Sequence, residues 1–482
     1  MTATHNMLDL GAYDDHAIAV LGLGVSGMSA ASELRRAGAH VLPWDDNENR
    51  RNGAAARGLM PCDLEAAEFA DIDMLVLSPG IPQAPPHTHP VVARARDADC
   101  EILCDIELLT RAAPDARYIG ITGTNGKSTT TALIGHILSE LGIASAIGGN
   151  IGAPALSLDA LGTDGVYVLE LSSYQLDLLP AAVFDVAVLL NITPDHLDRH
   201  GGMDGYVAAK RRIFEGQNAT QTAIVGIDDT HSEAIFNELS ARDLAAMTPI
   251  STRGACAGGL YLRDGWIIDD RGGIAEKIVD MRALPALPGD HNAQNVATAC
   301  GAVTAILESM TAEARSGIVE AIACFPGLAH RQELLGARGP LRFVNDSKAT
   351  NAEAAAHALA ANENIYWIAG GIAKDGGISA LDPLFDRVRH AFLIGEAADD
   401  FGEILKGRVS MTLSGDLATA TQQATDMARL ATAAGHDDAV VLLSPACASF
   451  DQFPSFEARG DAFREAVAAI PGFVPHATGG AA

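Results

Sequence analysis

The amino-acid sequence predicts an α/β protein of three domains, and three observations support this prediction. Short apolar strands alternate with helical stretches along nearly the whole chain, as they do in layered α/β folds. Two of the strands run directly into glycine-rich turns that open helices, at 22–27 and 120–126. The chain has 482 residues, which is more than one ordinary core accommodates.

The first domain is predicted over residues 1–105 and has a Rossmann-like plan. Its strands are "AIAVLGLG", "HVLPWDD" and "DMLVLSPGIP". The turn from Gly22 to Gly27 has the pattern G-x-G-x-x-G, and Asp45 and Asp46 follow where a dinucleotide site places its ribose acid. Alone, this weak pattern fits a dehydrogenase, a diphosphate bound at a helix N-terminus, or only a tight turn.

The middle domain is predicted over residues 106–327, with a P-loop and a mostly parallel sheet. The segment "GITGTNGKSTT" places a glycine-rich turn between a strand and a helix that begins at Lys127. It is a variant P-loop, because Ile121 stands where the usual pattern has its first glycine. Backbone N–H groups, Lys127 and the hydroxyl of Ser128 are suited to a nucleotide phosphate with Mg²⁺. Further along, "TRGACAGGLYLRDGWIIDDRGG" predicts a β-meander or a hairpin, and "CFPGLAHR" predicts a linker.

Polar residues at the ends of two further strands of this domain are candidates for the same site. Glu170 ends the apolar strand "VYVLE", where a charge is costly unless it is paired or bound to metal. His196 follows the strand "DVAVLLNIT", and Lys210 lies on the helix after it. Taken alone, Glu170 also fits an exposed strand end, His196 a structural histidine and Lys210 a solvated lysine.

The third domain is predicted over residues 328–482 and again has a Rossmann-like plan. Its strands are "LRFVND", "IYWIAGG", "AFLIG" and "AVVLLSP". The polar segments "NDSKATN" and "SPACASF" follow the first and last of these, so each also fits a polar loop before a capped helix. The last ten residues, "FVPHATGGAA", predict a frayed tail.

Composition narrows the possible partners. The formal charge of −28 argues against a nucleic-acid-binding surface, and no apolar run reaches the ~18 residues of a membrane helix. The seven cysteines form no C-x-x-C pair, and the N-terminal segment has neither the bases nor the apolar region of a signal peptide. We therefore expect a cytoplasmic protein that acts on small molecules and captures anions with local lysines, glycine amides and helix N-termini. We also expect a monomer, although nothing in the composition determines the oligomeric state.

These segments together resemble the Mur ligase family from about residue 17 to residue 463. The resemblance is carried, in family order, by "GITGTNGKST", "LELSSYQL", "NITPDHLDRH", "YVAAKRRI", "GDHNAQN", "GLAHRQE", "NDSKATN" and "LLSPACASFDQF". The last two, with "SPGIP", point to the branch that uses D-glutamate. The resemblance implies an ATP-dependent amide ligase that joins D-glutamate to UDP-N-acetylmuramoyl-L-alanine through an acyl phosphate, in peptidoglycan precursor synthesis.

The resemblance also implies roles for individual residues. The implied ATP ligands are Gly123, Thr124, Asn125, Gly126, Lys127, Ser128, Thr129, Asn292, Asn295, Arg331 and Asp346. The implied ligands of the UDP substrate are Gly24, Ser78, Pro79, Gly80, Asn150 and His196. The implied D-glutamate pocket is Lys348, Thr350, Ser449, Phe450 and Phe456. Two Mg²⁺ ions are implied at Ser128, Glu170, His196 and a carbamylated Lys210, and the implied catalytic residues are Lys127, Glu170, His196, Lys210 and Lys348.

The sequence departs from the family pattern at two places, and it leaves competing interpretations open. Ile372 stands where many members have an acid, and Asp46 and Asn47 stand where some have a Thr-Arg pair that helps to hold uracil. Another Mur ligase or a folylpolyglutamate synthetase is the nearest alternative. An NAD-dependent oxidoreductase with an added NTPase domain and a nucleotide-dependent switch are alternatives from other classes.

Overall fold

The computed structural model describes residues 7–84, 87–242, 245–284, 286–307, 311–374, 376–433 and 438–476. The chain forms two compact units, Met1–Ala283 with Asp290–Ala323, and Leu284–Gly289 with Cys324–Ala482. The first unit contains a four-stranded and a nine-stranded sheet, and the second contains a seven-stranded sheet. Helices pack on all three sheets, which confirms the α/β prediction. Among the described residues, no helix is both long enough and apolar enough to cross a membrane.

The N-terminal part of the first unit alternates strand and helix. Its elements are β1 (Ala17–Leu21), α1 (Val25–Arg36), β2 (His40–Trp44), α2 (Glu48–Ala56), β3 (Met74–Leu77), α3 (Pro90–Asp97), β4 (Glu101–Leu103) and α4 (Asp105–Ala112). The strands are parallel in the order β2-β1-β3-β4. The order reverses between β1 and β3, so the loops after these two strands border a crevice of the kind in which open α/β sheets bind ligands.

The rest of the first unit is built on the nine-stranded sheet. Its elements are β5 (Arg117–Thr122), α5 (Lys127–Glu140), β6 (Ser145–Gly149), β7 (Val166–Glu170), α6 (Ser173–Leu176), β8 (Val186–Leu189), α7 (Leu197–His200), α8 (Met203–Arg211), β9 (Thr222–Gly226), α9 (Thr230–Ser240), β10 (Ala246–Ser251), β11 (Leu260–Arg263), β12 (Trp266–Asp269), β13 (Glu276–Asp280), α10 (Asp290–Ile306) and α11 (Ala312–Cys324). The strand order is β13-β12-β11-β10-β9-β8-β5-β7-β6. Strands β11 and β12 form an antiparallel hairpin, which confirms the hairpin alternative for the segment 252–273, and β13 pairs antiparallel with β12 beyond that segment.

Strand β5 lies between β7 and β8 and is parallel to both. The three strands are almost entirely buried, because their residues are nearly all apolar and helices cover the sheet. The carboxyl ends of parallel strands meet at one edge of a sheet. The loops after β5, β7 and β8 therefore bring the polar residues of three motifs together.

The second unit is built on the seven-stranded sheet. Its elements are β14 (Glu333–Arg338), β15 (Leu341–Asn345), α12 (Ala352–Ala360), β16 (Ile365–Gly370), β17 (Ile372–Ala373), β18 (Val388–Ile394), α13 (Ala398–Leu405), β19 (Met411–Gly415), α14 (Leu417–Ala433), β20 (Ala439–Leu443), β21 (Cys447–Ala448), α15 (Phe456–Ala468) and β22 (Val474–Pro475). The strand order is β19-β18-β16-β20-β15-β14-β22, and β17 and β21 form a separate antiparallel pair.

The prediction of a frayed C-terminal tail is wrong for its first part. Strand β22 pairs antiparallel with Gly336 and Ala337 of β14, and the ring of Phe473 packs edge-on against Phe343 at 5.7 Å. The pairing satisfies backbone groups at the edge of β14, and the packing removes the ring of Phe473 from water. A segment of four residues is too short for the sequence pattern to predict these contacts. Residues 477–482 of the predicted tail lie outside the described residues.

Candidate active site

The loop between β5 and α5 has a backbone conformation that glycine permits. Gly123 (φ 150°) and Gly126 (φ 87°) both have positive φ, and a Cβ at Gly126 would lie 2.5 Å from the side-chain oxygen of Asn295. Gly126 caps α5 in the left-handed conformation. The first N–H groups of α5 have no partner within the helix, so together with the helix dipole they favour an anion at this end.

Two lysines meet at the backbone of this loop. The Nζ atoms of Lys127 and Lys210 donate to the same acceptor, the carbonyl oxygen of Gly123, at 2.9 and 2.8 Å. Lys127 also donates to the carbonyl of Thr124 at 2.9 Å. Lys210 lies on α8 and is only 2% exposed. Burial, followed by the nearby charge of Lys127, lowers the pKa of Lys210 well below its usual range, which raises the share of its neutral amine at a given pH.

Asn191, at the end of β8, holds the loop in shape, and the sequence analysis did not identify it. Its backbone oxygen accepts from Thr124 N at 2.9 Å, and its Oδ1 accepts from Asn125 N at 2.9 Å. Its Nδ2 donates to the carbonyl of Asn125 and to Gln294 Oε1, at 3.2 and 3.0 Å. The polar segment "NIT" at the end of this strand is the sequence feature from which Asn191 could have been identified.

Glu170 ends β7 at this edge of the sheet and is 3% exposed. Its Oε1 accepts from Asn150 Nδ2 at 2.8 Å, so Asn150 orients the carboxylate. Its Oε2 is buried and has no hydrogen-bond partner among the described residues. An unpaired buried carboxylate oxygen is costly unless it binds a cation or a donor. The interpretation of Glu170 as an exposed strand end is therefore wrong, and its chemistry fits a hard cation such as Mg²⁺.

His196 lies on the turn that precedes α7. Its backbone is in the left-handed region (φ 51°), and it caps α7. Its side chain is 53% exposed, and its Nε2 lies 3.5 Å from Asp195 Oδ2. No group of three or more His, Cys, Asp and Glu side chains that could hold a metal ion occurs in the part of the chain that the structure describes. A metal here therefore needs oxygen ligands from other sources, such as nucleotide phosphates.

Helix α10 brings Asn292 and Asn295 to the start of α5. The two helices pack together, and Thr130 Oγ1 donates to Asn295 Oδ1 at 3.1 Å. Asn295 Nδ2 in turn donates to Asn292 Oδ1 at 3.0 Å. Ser128 and Thr129 are buried in the first turn of α5. The members of the predicted ATP set that belong to the first unit thus surround one helix N-terminus.

The glycines after β1 have different surroundings. A Cβ at Gly22 would lie 2.7 Å from the Cβ of Ser78, and a Cβ at Gly27 would collide with the carbonyl oxygen of Gly22. A Cβ at Gly24 would meet nothing within 4 Å. Gly24 caps α1, and Ser78 Oγ donates to the carbonyl of Gly22 at 2.7 Å. The loops after β1 and β3 are therefore joined, and Gly24 faces open space beside them.

Asp45 is not available to a ribose, contrary to what a dinucleotide site requires. It is 4% exposed. Its Oδ2 accepts from Leu23 N at 2.7 Å and from Arg50 Nη1 at 3.2 Å, and its Oδ1 accepts from Asn47 N at 2.8 Å. Burial acts to raise the pKa of Asp45, but these donors outweigh it and the pKa is lowered. The carboxylate therefore fastens β2 to the glycine turn.

In the second unit, Asp346 ends β15 and is buried. Its Oδ2 accepts from Ser444 Oγ at 2.7 Å, and its Oδ1 accepts from Gln332 N at 3.1 Å. Burial raises the pKa of Asp346 to about 7, although these donors and the charge of Arg331 act in the opposite direction. The two nucleotide-assigned residues of this unit, Arg331 and Asp346, are thus electrostatically coupled.

The residues predicted to bind D-glutamate come from loops beside the short β17–β21 pair. The Nζ of Lys348 lies 5.3 Å from the ring centre of Phe456, and Lys348 N donates to the carbonyl of His330 at 3.0 Å. Ser449 is buried and Phe450 is 70% exposed, directly after β21. Strand β17 pairs with β21 and is followed by Lys374, a further cation that the sequence analysis did not assign.

Arg459 links these loops through buried hydrogen bonds, and the sequence analysis did not identify this residue either. It is 1% exposed, and it donates to the hydroxyl and carbonyl oxygens of Ser347 at 3.0 and 2.8 Å and to the carbonyl of Cys447 at 3.0 Å. Its Nη1 is buried without a hydrogen-bond partner among the described residues. Burial lowers the pKa of the guanidinium to about 10. An arginine on a polar helix gave no sequence signal for this position.

Comparison with known proteins places these features in a family. Residues 121–303 match the Mur ligase middle domain. The chain is 49% identical over 467 residues to the UDP-N-acetylmuramoylalanine–D-glutamate ligase of Caulobacter vibrioides (strain NA1000 / CB15N), covering 96% of this chain and 97% of the relative. It is 48% identical to the ligase of the same name from Rhodospirillum rubrum, covering 96% of each.

Solved structures show the same fold at low sequence identity. A crystal structure of MurF from Acinetobacter baumannii matches with a TM-score of 0.56 at 17% identity, covering 95% of this chain and 93% of that one. The UDP-N-acetylmuramate-alanine ligase MurC from Thermotoga maritima matches with a TM-score of 0.53 at 15% identity, covering 93% and 98%. These similarities support the predicted three-domain α/β architecture.

Proposed function

Because the chain belongs to the Mur ligase family, within the group named UDP-N-acetylmuramoylalanine–D-glutamate ligases, we propose that it adds D-glutamate to UDP-N-acetylmuramoyl-L-alanine at the expense of ATP, in peptidoglycan precursor synthesis. The observation that carries this proposal is the convergence on one sheet edge of a P-loop, the orphaned carboxylate oxygen of Glu170 and the buried amine of Lys210.

The reaction proceeds in two balanced steps. The carboxylate of the L-alanyl group attacks the γ-phosphorus of ATP, so a C–O–P linkage forms as ADP leaves. The deprotonated amine of D-glutamate then attacks the acyl carbon, phosphate leaves, and the nitrogen loses a proton to give the amide. Phosphoryl transfer requires positioning and charge neutralisation more than a protein nucleophile. The chain supplies these through Lys127 and the amides of 123–129.

The residue roles divide by unit. In the first unit, Asn292 and Asn295 lie beside the phosphate loop and are assigned to adenine, whereas Gly24, Ser78, Pro79, Gly80, Asn150 and His196 are assigned to the UDP substrate. In the second unit, Arg331 and Asp346 are assigned to ATP, and Lys348, Thr350, Ser449, Phe450 and Phe456 to D-glutamate. The domain limits 1–105, 106–327 and 328–482, a monomeric state and a cytoplasmic location are parts of the same proposal.

Two Mg²⁺ ions would be held by Ser128, Glu170, His196 and a carbamylated Lys210. Bound Mg²⁺ neutralises phosphate charge during transfer. The side-chain donors include the buried free oxygen of Glu170, which fits such an ion. The shared contact of Lys127 and Lys210 with the Gly123 carbonyl favours carbamylation. A neutral amine can attack the carbon of carbon dioxide, and loss of one nitrogen proton to solvent leaves a carbamate, whose negative charge replaces repulsion from Lys127 by attraction.

The experiment that tests the proposal is product formation with D-glutamate, L-glutamate, D-aspartate and meso-diaminopimelate in parallel. We expect phosphate release that requires both the UDP substrate and D-glutamate, because a pocket of several fixed donors leaves one unpaired with the L-isomer. Equal use of L-glutamate or diaminopimelate would refute the assignment of "NDSKATN" to D-glutamate.

Lys348→Ala should lose ligation but retain nucleotide binding, and Lys348→Arg should rescue poorly, since a planar fork replaces a point charge.

A further inference from the structure

Tyr174, at the centre of an aromatic cluster, has no role in the functions assigned so far. The ring of Tyr174 contacts three side chains of the turn 196–200. It lies 5.2 Å from His200 in a stacked arrangement with an interplanar angle of 8°, and 5.3 Å from His196 with a tilt of 54°. The guanidinium carbon of Arg199 lies 4.6 Å from the same ring centre. One ring is thus the common packing surface of the turn that carries His196.

This turn depends on outside contacts for its shape. Helix α7 has only four residues, and residues with positive φ flank it on both sides, at 51° for His196, 68° for Gly201 and 115° for Gly202. A left-handed conformation at a non-glycine residue persists only where the surroundings determine it. The Nε2 of His196 lies 3.5 Å from Asp195 Oδ2, which is too long for a normal hydrogen bond. The imidazole is half exposed, so its contact with the ring of Tyr174 is the interaction that we expect to orient it.

Tyr174 is rigidly attached to the strand that carries Glu170. It follows Glu170 by four residues, and a capping box between Ser172 and Gln175 fixes the start of its helix. His200 Nε2 lies 2.9 Å from Ser173 Oγ, a second link between the two segments. The ring of Tyr174 therefore contacts His196 from a segment that follows Glu170 directly in the chain, and both of these residues are assigned to the metal site.

The cluster extends to the loop assigned to the UDP substrate. Arg199 Nη1 donates to the carbonyl oxygen of Gly80 at 3.2 Å. Gly80 follows Ser78 in the loop after β3, beside the crevice of the N-terminal sheet. A displacement of the Ser78–Gly80 loop therefore acts directly on Arg199, and through the ring on the His196 turn.

We propose that Tyr174 is a positioning residue that holds His196 in register with Glu170 and, through Arg199, couples the metal site to the loop that holds the UDP substrate. The inference rests on the proposed function and deepens it, because it names the part that links one substrate to the metal. The function of Tyr174 lies in its ring, since the contacts of the cluster are stacking contacts. A phenylalanine therefore serves in its place.

The test is the binding of Mn²⁺, as a paramagnetic substitute for Mg²⁺, to the full chain with a non-hydrolysable ATP analogue, followed by electron paramagnetic resonance. Residues that orient metal ligands typically change metal affinity about 10- to 100-fold when they are removed. We expect Tyr174→Leu to weaken Mn²⁺ binding at least about tenfold, and Tyr174→Phe to bind as the parent does. Equal affinity in the leucine variant, or an equal loss in both variants, overturns the proposal.

Arg199→Gln tests the coupling without changing the core. Calorimetry should show weaker binding of UDP-N-acetylmuramoyl-L-alanine, whereas Arg242→Gln, whose guanidinium pairs with Glu238 instead, should bind as the parent does. Unchanged affinity in Arg199→Gln overturns the coupling. If Tyr174→Leu shows no cooperative thermal transition, Tyr174→Met replaces it under the same criteria. These titrations need no turnover, so failure of the parent to form product would refute the proposed function separately.

Discussion

Replacing Gly24 by alanine should weaken binding of the UDP substrate much more than it weakens the fold. A Cβ at this position meets nothing within 4 Å, and φ is −70°. The residue caps α1, where an alanine is less favourable than glycine by roughly 0.5–1 kcal/mol, and the lower conformational entropy of the unfolded chain offsets part of this cost. The free energy of unfolding should therefore fall by no more than about 1 kcal/mol.

The expected loss in binding follows from the proposed use of the space beside Gly24, which is to admit a diphosphate. If a diphosphate approaches the first N–H groups of α1, a methyl group at Gly24 holds it away from them. Each hydrogen bond to a charged group contributes about 1.5–3 kcal/mol. Loss of one such bond should raise the Michaelis constant for the UDP substrate roughly 10- to 100-fold, since each 1.4 kcal/mol is about tenfold. The Michaelis constants for ATP and D-glutamate should stay within about twofold.

Two other glycines supply matched controls, with thermal unfolding and phosphate release as the assays. Gly27→Ala places a Cβ against the carbonyl oxygen of Gly22, so it should destabilise the chain by about 1–3 kcal/mol or more. Gly53→Ala, in the interior of α2 and also without a neighbour within 4 Å, should stabilise by up to about 1 kcal/mol and leave every constant unchanged. An equal rise in the constants for ATP and the UDP substrate in Gly24→Ala would refute the reasoning.

Three further predictions concern buried charges. Lys210→Ala should lose more than about 99% of ligation because a metal-bridging anion is removed, and added short-chain carboxylic acids should restore part of it in a phosphate-release assay; parent-like activity without them would exclude the carbamate. The raised pKa of Asp346 means that the folded chain binds a proton more tightly than the unfolded chain, so its contribution to stability is present below about pH 4 and is lost as pH rises toward about 7. Denaturant unfolding should show this decline, by up to about 1.4 kcal/mol per pH unit, and Asp346→Asn should remove it; an identical pH profile in both proteins would contradict the shift. Arg459→Met should lower the free energy of unfolding by about 2–5 kcal/mol because the carbonyls of Ser347 and Cys447 lose their buried donor. A loss of less than about 0.5 kcal/mol in chemical denaturation would show that water replaces the guanidinium.

The sequence predicted what local pattern can express. Strand–turn–helix order located the phosphate loop, and short apolar runs with turn signals located the antiparallel β11–β12 hairpin. Pattern could not separate Gly24 from Gly27, because their difference lies in whether another segment, after β1 or β3, occupies the space of a Cβ. The same limit applies to Tyr174 and Arg459. Each is an ordinary helix residue by periodicity, and its partners are distant in the chain or on another loop.

The shared carbonyl of Gly123 explains how a protein with a net charge of −28 can handle three anionic substrates. Water and salt screen charges that lie more than about 10 Å away. The acidic residues elsewhere on the chain therefore act only weakly on an anion at the phosphate loop. At the phosphate loop the local charge comes instead from two lysines whose Nζ atoms donate to one oxygen, and Lys210 is the buried one. Burial and the charge of Lys127 lower the pKa of Lys210, so this arrangement favours loss of the Lys210 proton or the proposed carbamylation. Lys127 lies at the helix N-terminus, where its charge adds to the helix dipole and favours a phosphate.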